Sequence, residues 1–396
     1  MSKRRNKKKP WNTQHRGPQP PSIRLNKLHF PTVEDLTGFA VETALSGEMV
    51  KIQARGSLVS DQPLFYTYID QISGIFLNKV IVGQVCQFLV LIHKDLSADV
   101  YLNDFPVRVL MMAKRAMNKG EVVRTSDIAD IRELTFEGIH IKDTDKVIYC
   151  FKVGWKFGLF FDLHRGEPLN KSAMEKEIGA LYRYLSFQYV YDVLQSKPQF
   201  ERMLKDGWFP FIEIISSEFK ELSEAYKHLS DPKQKIDEIV TKFNNARIET
   251  IIGKWWSKGL FLDKKAILES AIHSYLSDNT AGFIACIKIL LTEIEGIIRL
   301  HYFKETGKGK AVHVPDLLNH IFDKGKIKSG SEESLFFPRD FLYYLKEAIF
   351  PQFDLEQGNI VLSRHTSSHG VAKAEDYTKM RAVQMILILD QLYFYI

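Results

Sequence analysis

The last twelve residues, Met385-Ile-Leu-Ile-Leu-Asp-Gln-Leu-Tyr-Phe-Tyr-Ile396, constrain the fold more than any other stretch. They end a helical pattern that begins near Ala372, and wound into a helix they are apolar on nearly every side. Such a helix has to be surrounded by other segments. The run is shorter than the roughly eighteen uninterrupted apolar residues of a membrane span. The sequence therefore predicts a C-terminal helix at the centre of a protein bundle.

Upstream segments supply the walls of that bundle. From Glu167 onward strand signals become rare. Lys171 to about Gln195 places Met174, Ile178, Leu181, Leu185, Tyr189 and Val193 on one helix face, and Pro198 closes it. A second helix is expected from Phe209 to Leu229, before the Asp231-Pro232 boundary. Further helices are expected over Ile236–Trp256 and Lys264–Leu276. Ser277-Asp-Asn-Thr280 re-caps the chain for a helix from Ala281 to about Phe303, whose seam is Phe283, Ile287, Leu290, Ile294 and Ile297. After the loop Thr306-Gly-Lys-Gly-Lys310 come Pro315–Asp323 and Ser331–Phe350, ended by Pro351.

The part before Glu167 reads differently. Met49–Val59 alternates apolar and polar residues as a half-buried strand does, while Val85–Ile92 and Ala98–Leu102 are short extended runs. Lys146–Val153 and Lys156–Leu163 flank Gly154-Trp155 and predict a hairpin with aromatic cross-strand pairs. Tyr149, Trp155, Phe157, Phe160 and Phe161 fit either base stacking or core packing. The expected fold class is α+β: an N-terminal domain with a mostly antiparallel sheet, then an all-α C-terminal helical bundle. The expected division is a disordered basic tail at 1–21, the α+β domain with a sensing or regulatory role at 22–165, a helical connector at 166–231 and the bundle at 232–396.

The formal charge of +6 belongs to the tail, because residues 1–21 hold seven Lys and Arg and no acid, which leaves the remainder at −1. Such a tail reads equally as an arm for RNA or DNA phosphates and as a solubilising leader. The basic N-terminus has no apolar core behind it, so a cytoplasmic protein without a membrane segment is expected. Cys86, Cys150 and Cys286 stand far apart in apolar surroundings and predict reduced, buried thiols. No phosphate-cradling glycine loop or zinc-ligand spacing occurs, and no cofactor or metal is expected. For a metal-dependent reaction the candidates near the C-terminal region are His313 and His320, whose spacing matches no common ligand pattern.

One polar stretch stands out before the terminal helix: Ser363-Arg364-His365-Thr366-Ser367-Ser368-His369-Gly370. Arginine offers a planar cationic fork for phosphate oxygens, and histidine exchanges a proton near neutral pH. That pairing suits phosphodiester chemistry without a metal. Arg24 to His29 repeats the spacing by chance, but it follows the tail and precedes Pro31, so context separates the two. A stretch leading directly into the terminal helix would also meet free backbone amides and the positive end of its dipole.

With these residues the region 232–396 resembles the HEPN superfamily of helical bundles found in prokaryotic toxins, CRISPR-associated ribonucleases and anti-phage effectors. The family motif places a polar residue after its arginine, here His365, and then, after three more residues, a histidine, here His369. Gly370, the long apolar terminal helix and Ile294-Glu295-Gly296 in an earlier helix are also similar to members of the family. Val371 stands where some toxin members carry a modified tyrosine.

The resemblance implies a metal-independent endoribonuclease that cleaves RNA by 2′-hydroxyl attack, acting as a toxin or anti-phage effector. It implies a homodimer joined through the bundle. His369 would serve in general acid/base work, Arg364 would bind the scissile phosphate, and His365 would orient the site. Two other readings remain open at this level. Arg364 and His369 can instead cap a helix and pair with an acid such as Glu295, which itself can pair with Arg299. The bundle can also be a non-catalytic module for RNA, a nucleotide or a protein partner.

Overall fold

The computed structural model describes residues 19–26, 28, 39–40, 44–50, 52–77, 84–164, 168–310, 312–352 and 361–396. Residues 1–18 of the basic tail and His29 lie outside that set. The chain forms two compact units: Met1–Leu110 with Glu133–Ser186, and Met111–Arg132 with Phe187–Ile396.

The first unit contains the strands β1 (Ile23–Leu25), β2 (Phe39–Ala40), β3 (Ile52–Gln53) and β4 (Arg55–Val59), then the helix α1 (Pro63–Phe76). Strands β5 (Gln87–Ile92), β6 (Ala98–Leu102), β7 (Val107–Ala113), β8 (Ile128–Phe136), β9 (Lys146–Val153) and β10 (Lys156–Asp162) follow, the Met111–Arg132 part of β7 and β8 belonging to the second unit, and α2 (Lys171–Ser186) closes the first. Six strands make one antiparallel sheet in the order β1-β6-β5-β9-β10-β4. The predicted hairpin is present, with Lys156 opposite Val153 and Gly154 at φ +59° in its turn.

Both faces of this sheet are covered. Phe65, Tyr68, Ile72 and Phe76 of α1 pack on Phe88, Val90, Ile148, Leu159 and Phe161. Met174, Ile178, Leu181 and Leu185 of α2 pack on Leu89, Leu91, Tyr149, Phe151 and Phe160. Double coverage explains why β5 reads as a continuous apolar run and not as an alternating one. It also settles the aromatic residues: Tyr149, Phe160 and Phe161 are core, and Trp155, 92% exposed at the turn, is the one among them that faces solvent. Gly158 in β10 lets α2 pack closely, since a Cβ there would lie 2.8 Å from Leu185 Cδ1 and the leucine would have to shift.

In the second unit α3 (Gln188–Gln195), α4 (Lys197–Lys205), α5 (Ser217–His228), α6 (Lys233–Thr241), α7 (Asn245–Trp255), α8 (Gly259–Asp263) and α9 (Lys265–Leu276) lead to the long α10 (Thr280–Thr306). Then come α11 (Val314–Ser329), α12 (Pro338–Tyr344) with a π-helical turn over Leu345–Ile349, α13 (Arg364–Ser368) and α14 (Lys379–Tyr395). An antiparallel sheet followed by an all-helical region is the architecture expected from the sequence.

The boundaries differ in places. The segment expected as one helix over Lys171–Gln195 breaks at Phe187, and its first half belongs with the sheet. The connector expected over 166–231 is thus divided between the two units, and from Phe187 onward it joins the later helices. Phe209–Ser216 and Ser331–Phe337 are turns whose apolar residues are buried, not helical first turns.

The α14 helix lies at the centre, with Ala382, Val383, Ile386, Leu387, Ile388, Leu389 and Leu392 fully buried. It packs on α6, α7, α10 and α11. Its buried polar residues all have partners, as burial demands. Gln384 donates to the Asp206 carbonyl at 2.9 Å, and Gln391 accepts from the Ile212 amide at 2.8 Å. Asp390 accepts from Trp255 Nε1 at 2.9 Å and pairs with Lys254 at 2.9 Å. Among the described residues no helix is long and apolar enough to cross a membrane.

Candidate functional site

Ser363 and Thr366 fix the shape of the Arg/His stretch. Ser363 has extended backbone and its Oγ accepts from the Thr366 amide at 3.2 Å, while the Ser363 amide donates to Thr366 Oγ1 at 2.8 Å. Both side chains are buried. This reciprocal box satisfies two amides at the start of α13 and forces Arg364 and His365 into its first turn. The Thr366 carbonyl then accepts from the Val371 and Ala372 amides at 3.0 and 3.3 Å. Tyr377 Oη stands 3.2 Å from Ser367 Oγ and ties down the return of the chain.

The relation to the terminal helix differs from the expectation. The α13 helix is separate and ends at His369, Gly370 turns the chain at φ +72°, and a 3-10 turn over Ala374–Asp376 follows. The terminal helix α14 has its own N-cap, Thr378, whose Oγ1 accepts from the Arg381 amide at 3.2 Å. The motif therefore does not sit on the dipole of α14. Gly370–Tyr377 intervene because Gly370 and the box on Thr366 reverse the chain before the long helix can start.

The motif packs instead on α10. Arg364 Nε lies 2.5 Å from Glu295 Oε2, and Arg299 Nε lies 2.7 Å from Glu295 Oε1. Arg299 also donates from Nη1 to the Val312 carbonyl at 2.9 Å. Glu295 is buried, and two guanidinium groups around it make its ionised form tenable. Its Oε2 accepts no hydrogen bond of normal geometry among the described residues, so the contact to Arg364 is ionic. Two cations against one carboxylate leave a surplus positive charge at this point of the surface.

His365 is half-buried. Burial first, then the Arg364 guanidinium and His369, hold its pKa below the ordinary 6.5, with Glu295 opposing. It is a neutral imidazole at neutral pH. His369 is exposed at the C-cap of α13, its backbone amide donating to the His365 carbonyl at 3.0 Å. The sequence-predicted residues Arg364, His365 and His369 are thus brought together on one short turn. Glu295 and Arg299 join them by the route weighed as the structural alternative. The box between Ser363 and Thr366 is written locally in the sequence as two hydroxyl residues three positions apart.

His313 and His320 do not come together as ligands: His313 is the N-cap of α11, its amide donating to Asp316 at 3.3 Å. His320 instead meets His301, a residue the sequence did not single out because it lies in the apolar-rich body of α10. Cys86 is exposed, against the expectation of three buried thiols, while Cys150 and Cys286 are buried. No protein-family model, curated protein or solved structure matches the chain.

Proposed function

We propose that the chain is a metal-independent endoribonuclease of the HEPN type, acting as a toxin or anti-phage effector. The ribose 2′-hydroxyl attacks the adjacent phosphorus, the bond to the 5′-oxygen breaks, and a 2′,3′-cyclic phosphate and a 5′-hydroxyl remain. The observation that carries this reading is one turn of helix holding a guanidinium, a neutral imidazole and a solvent-facing imidazole.

In this reading Arg364 swings its free guanidinium nitrogens onto the scissile phosphate while Nε stays near Glu295. His369, exposed, exchanges the proton with the attacking or leaving oxygen, and His365 accepts from the substrate to orient it. Two copies of the motif would meet in a homodimer joined through the helical unit, and the basic tail would add contacts to RNA phosphates. Incubating the purified protein with total RNA in EDTA and analysing the ends tests the chemistry. Cyclic phosphate ends without metal are expected, and cleavage that needs a metal or leaves other ends would overturn it.

A second reading has an observation of its own in favour. The contact between Arg364 and Glu295 is what a non-catalytic helical module for RNA, a nucleotide or a protein partner would keep for stability. His369→Ala separates the two. Because His369 is exposed, the variant is expected to fold normally and to lose cleavage and cell toxicity by about 10²–10⁴-fold. Full retention of both would leave the non-catalytic module standing.

A further inference from the structure

We infer that α10 and α11 form a binding site for one divalent transition-metal ion, built from His301, Glu305 and His320. The two histidines face each other nitrogen to nitrogen, His301 Nδ1 lying 2.9 Å from His320 Nε2. One nitrogen of each imidazole and one oxygen of Glu305 lie within 4.8 Å of one another. His301 and Glu305 are one helical turn apart on α10, with Glu305 Oε1 3.6 Å from His301 Nε2, the ring nitrogen that does not face His320, so a common ion draws the carboxylate round to the Nδ1 side.

At that distance one ring donates its N–H to the other, and a cation bound by both nitrogens would take the place of that proton. Metal–nitrogen bonds of about 2.0–2.1 Å at a right angle put two ligand atoms about 2.9 Å apart, and a tetrahedral angle about 3.4 Å apart. The observed spacing fits the first and needs a shift of about half an ångström for the second. His301 is buried and His320 half-buried, and a metal takes each imidazole in its neutral form. The donor set of two imidazoles and a carboxylate suits Zn²⁺, Co²⁺ or Ni²⁺ better than Mg²⁺ or Ca²⁺. Lys324 pairs with Glu305 and competes with the ion for that carboxylate.

This site takes no part in the proposed cleavage, and its ion would clamp α10 to α11. The test titrates Co²⁺ into the full-length protein after treatment with EDTA and removal of the chelator, followed by visible absorption and calorimetry. One ion per chain, ligand-field bands and a raised thermal midpoint are expected. His320→Ala and Glu305→Gln should each weaken binding by about tenfold or more, while Lys324→Met should tighten it. His313→Ala, outside the cluster, should leave it unchanged. No binding by the unaltered protein, or unchanged bands and stoichiometry in His320→Ala, would overturn the site. So would weaker binding in Lys324→Met.

Discussion

Arg364 stands between two demands, a buried carboxylate behind it and a substrate phosphate in front. A planar fork can meet both at once, and an ammonium cannot. Arg364→Lys is therefore expected to fold with a near-normal unfolding midpoint and to cleave RNA about 10²–10³-fold more slowly, measured in single turnover. A variant as fast as the parent would remove Arg364 from the reaction. His365 adds a pH signature. Its folded pKa is below 6.5, so it stays neutral as pH falls through the ordinary imidazole range and gains its proton only further down. The acid limb of the cleavage profile should lie below pH 6.5 and change in His365→Ala. The same depression makes His365 a source of stability that is present above pH 6.5 and lost as pH falls through its folded value. At this scale the sequence named Arg364, His365 and His369, because arginine and histidine carry their chemistry in their side chains. It offered Glu295 as a partner for Arg364 only as one open reading, since the pairing that the structure shows depends on how α10 and α13 pack.

Between elements, α9 and α10 approach closely at Gly282. A Cβ on Gly282 would meet the Ser274 carbonyl oxygen at 2.2 Å and Ser277 Oγ at 2.1 Å. Backbone cannot move aside as a side-chain tip can, so Gly282→Ala should force the two helices apart. The gain in helix propensity is about 1 kcal/mol, and overpacking costs about 1–3 kcal/mol or more. A net destabilisation of up to about 2 kcal/mol in urea is expected, and a more stable variant would contradict the close crossing. Long periodic segments such as α9 and α10, and the β9–β10 hairpin, were readable because one face or one turn declares them. Phe209–Ser216 and Ser331–Phe337 were not. Their apolar residues are buried as turns, and backbone amides within them find side chains far away in sequence: Ile212 bonds Gln391, and Leu335 bonds Asp130 at 3.1 Å. No local pattern encodes such a partner.

Over the whole molecule, the three cysteines report on packing. Burial pushes the thiols of Cys150 and Cys286 up to about 12, whereas Cys86 is exposed. A thiol reagent should modify one site in the native protein at pH 8 and three after denaturation. Rapid native labelling of all three would contradict the burial of the sheet and of α10. The sequence predicted the α+β order correctly but took the boundary from a change in pattern. The compact units follow contacts, and so α2 stays with the sheet it covers.

The ribbon of β7 and β8 has its base in the first unit and its tip, Met111–Arg132, in the second. Within the second unit that tip supplies Asp130 to the Leu335 amide and Lys114 to the Glu213 carbonyl at 3.3 Å. The two units are consequently not beads that one cut can part. A gene fragment beginning after Ser186 would encode the later helices without the Met111–Arg132 tip that bonds to them, so transplanting the helical unit between proteins requires two joints, not one.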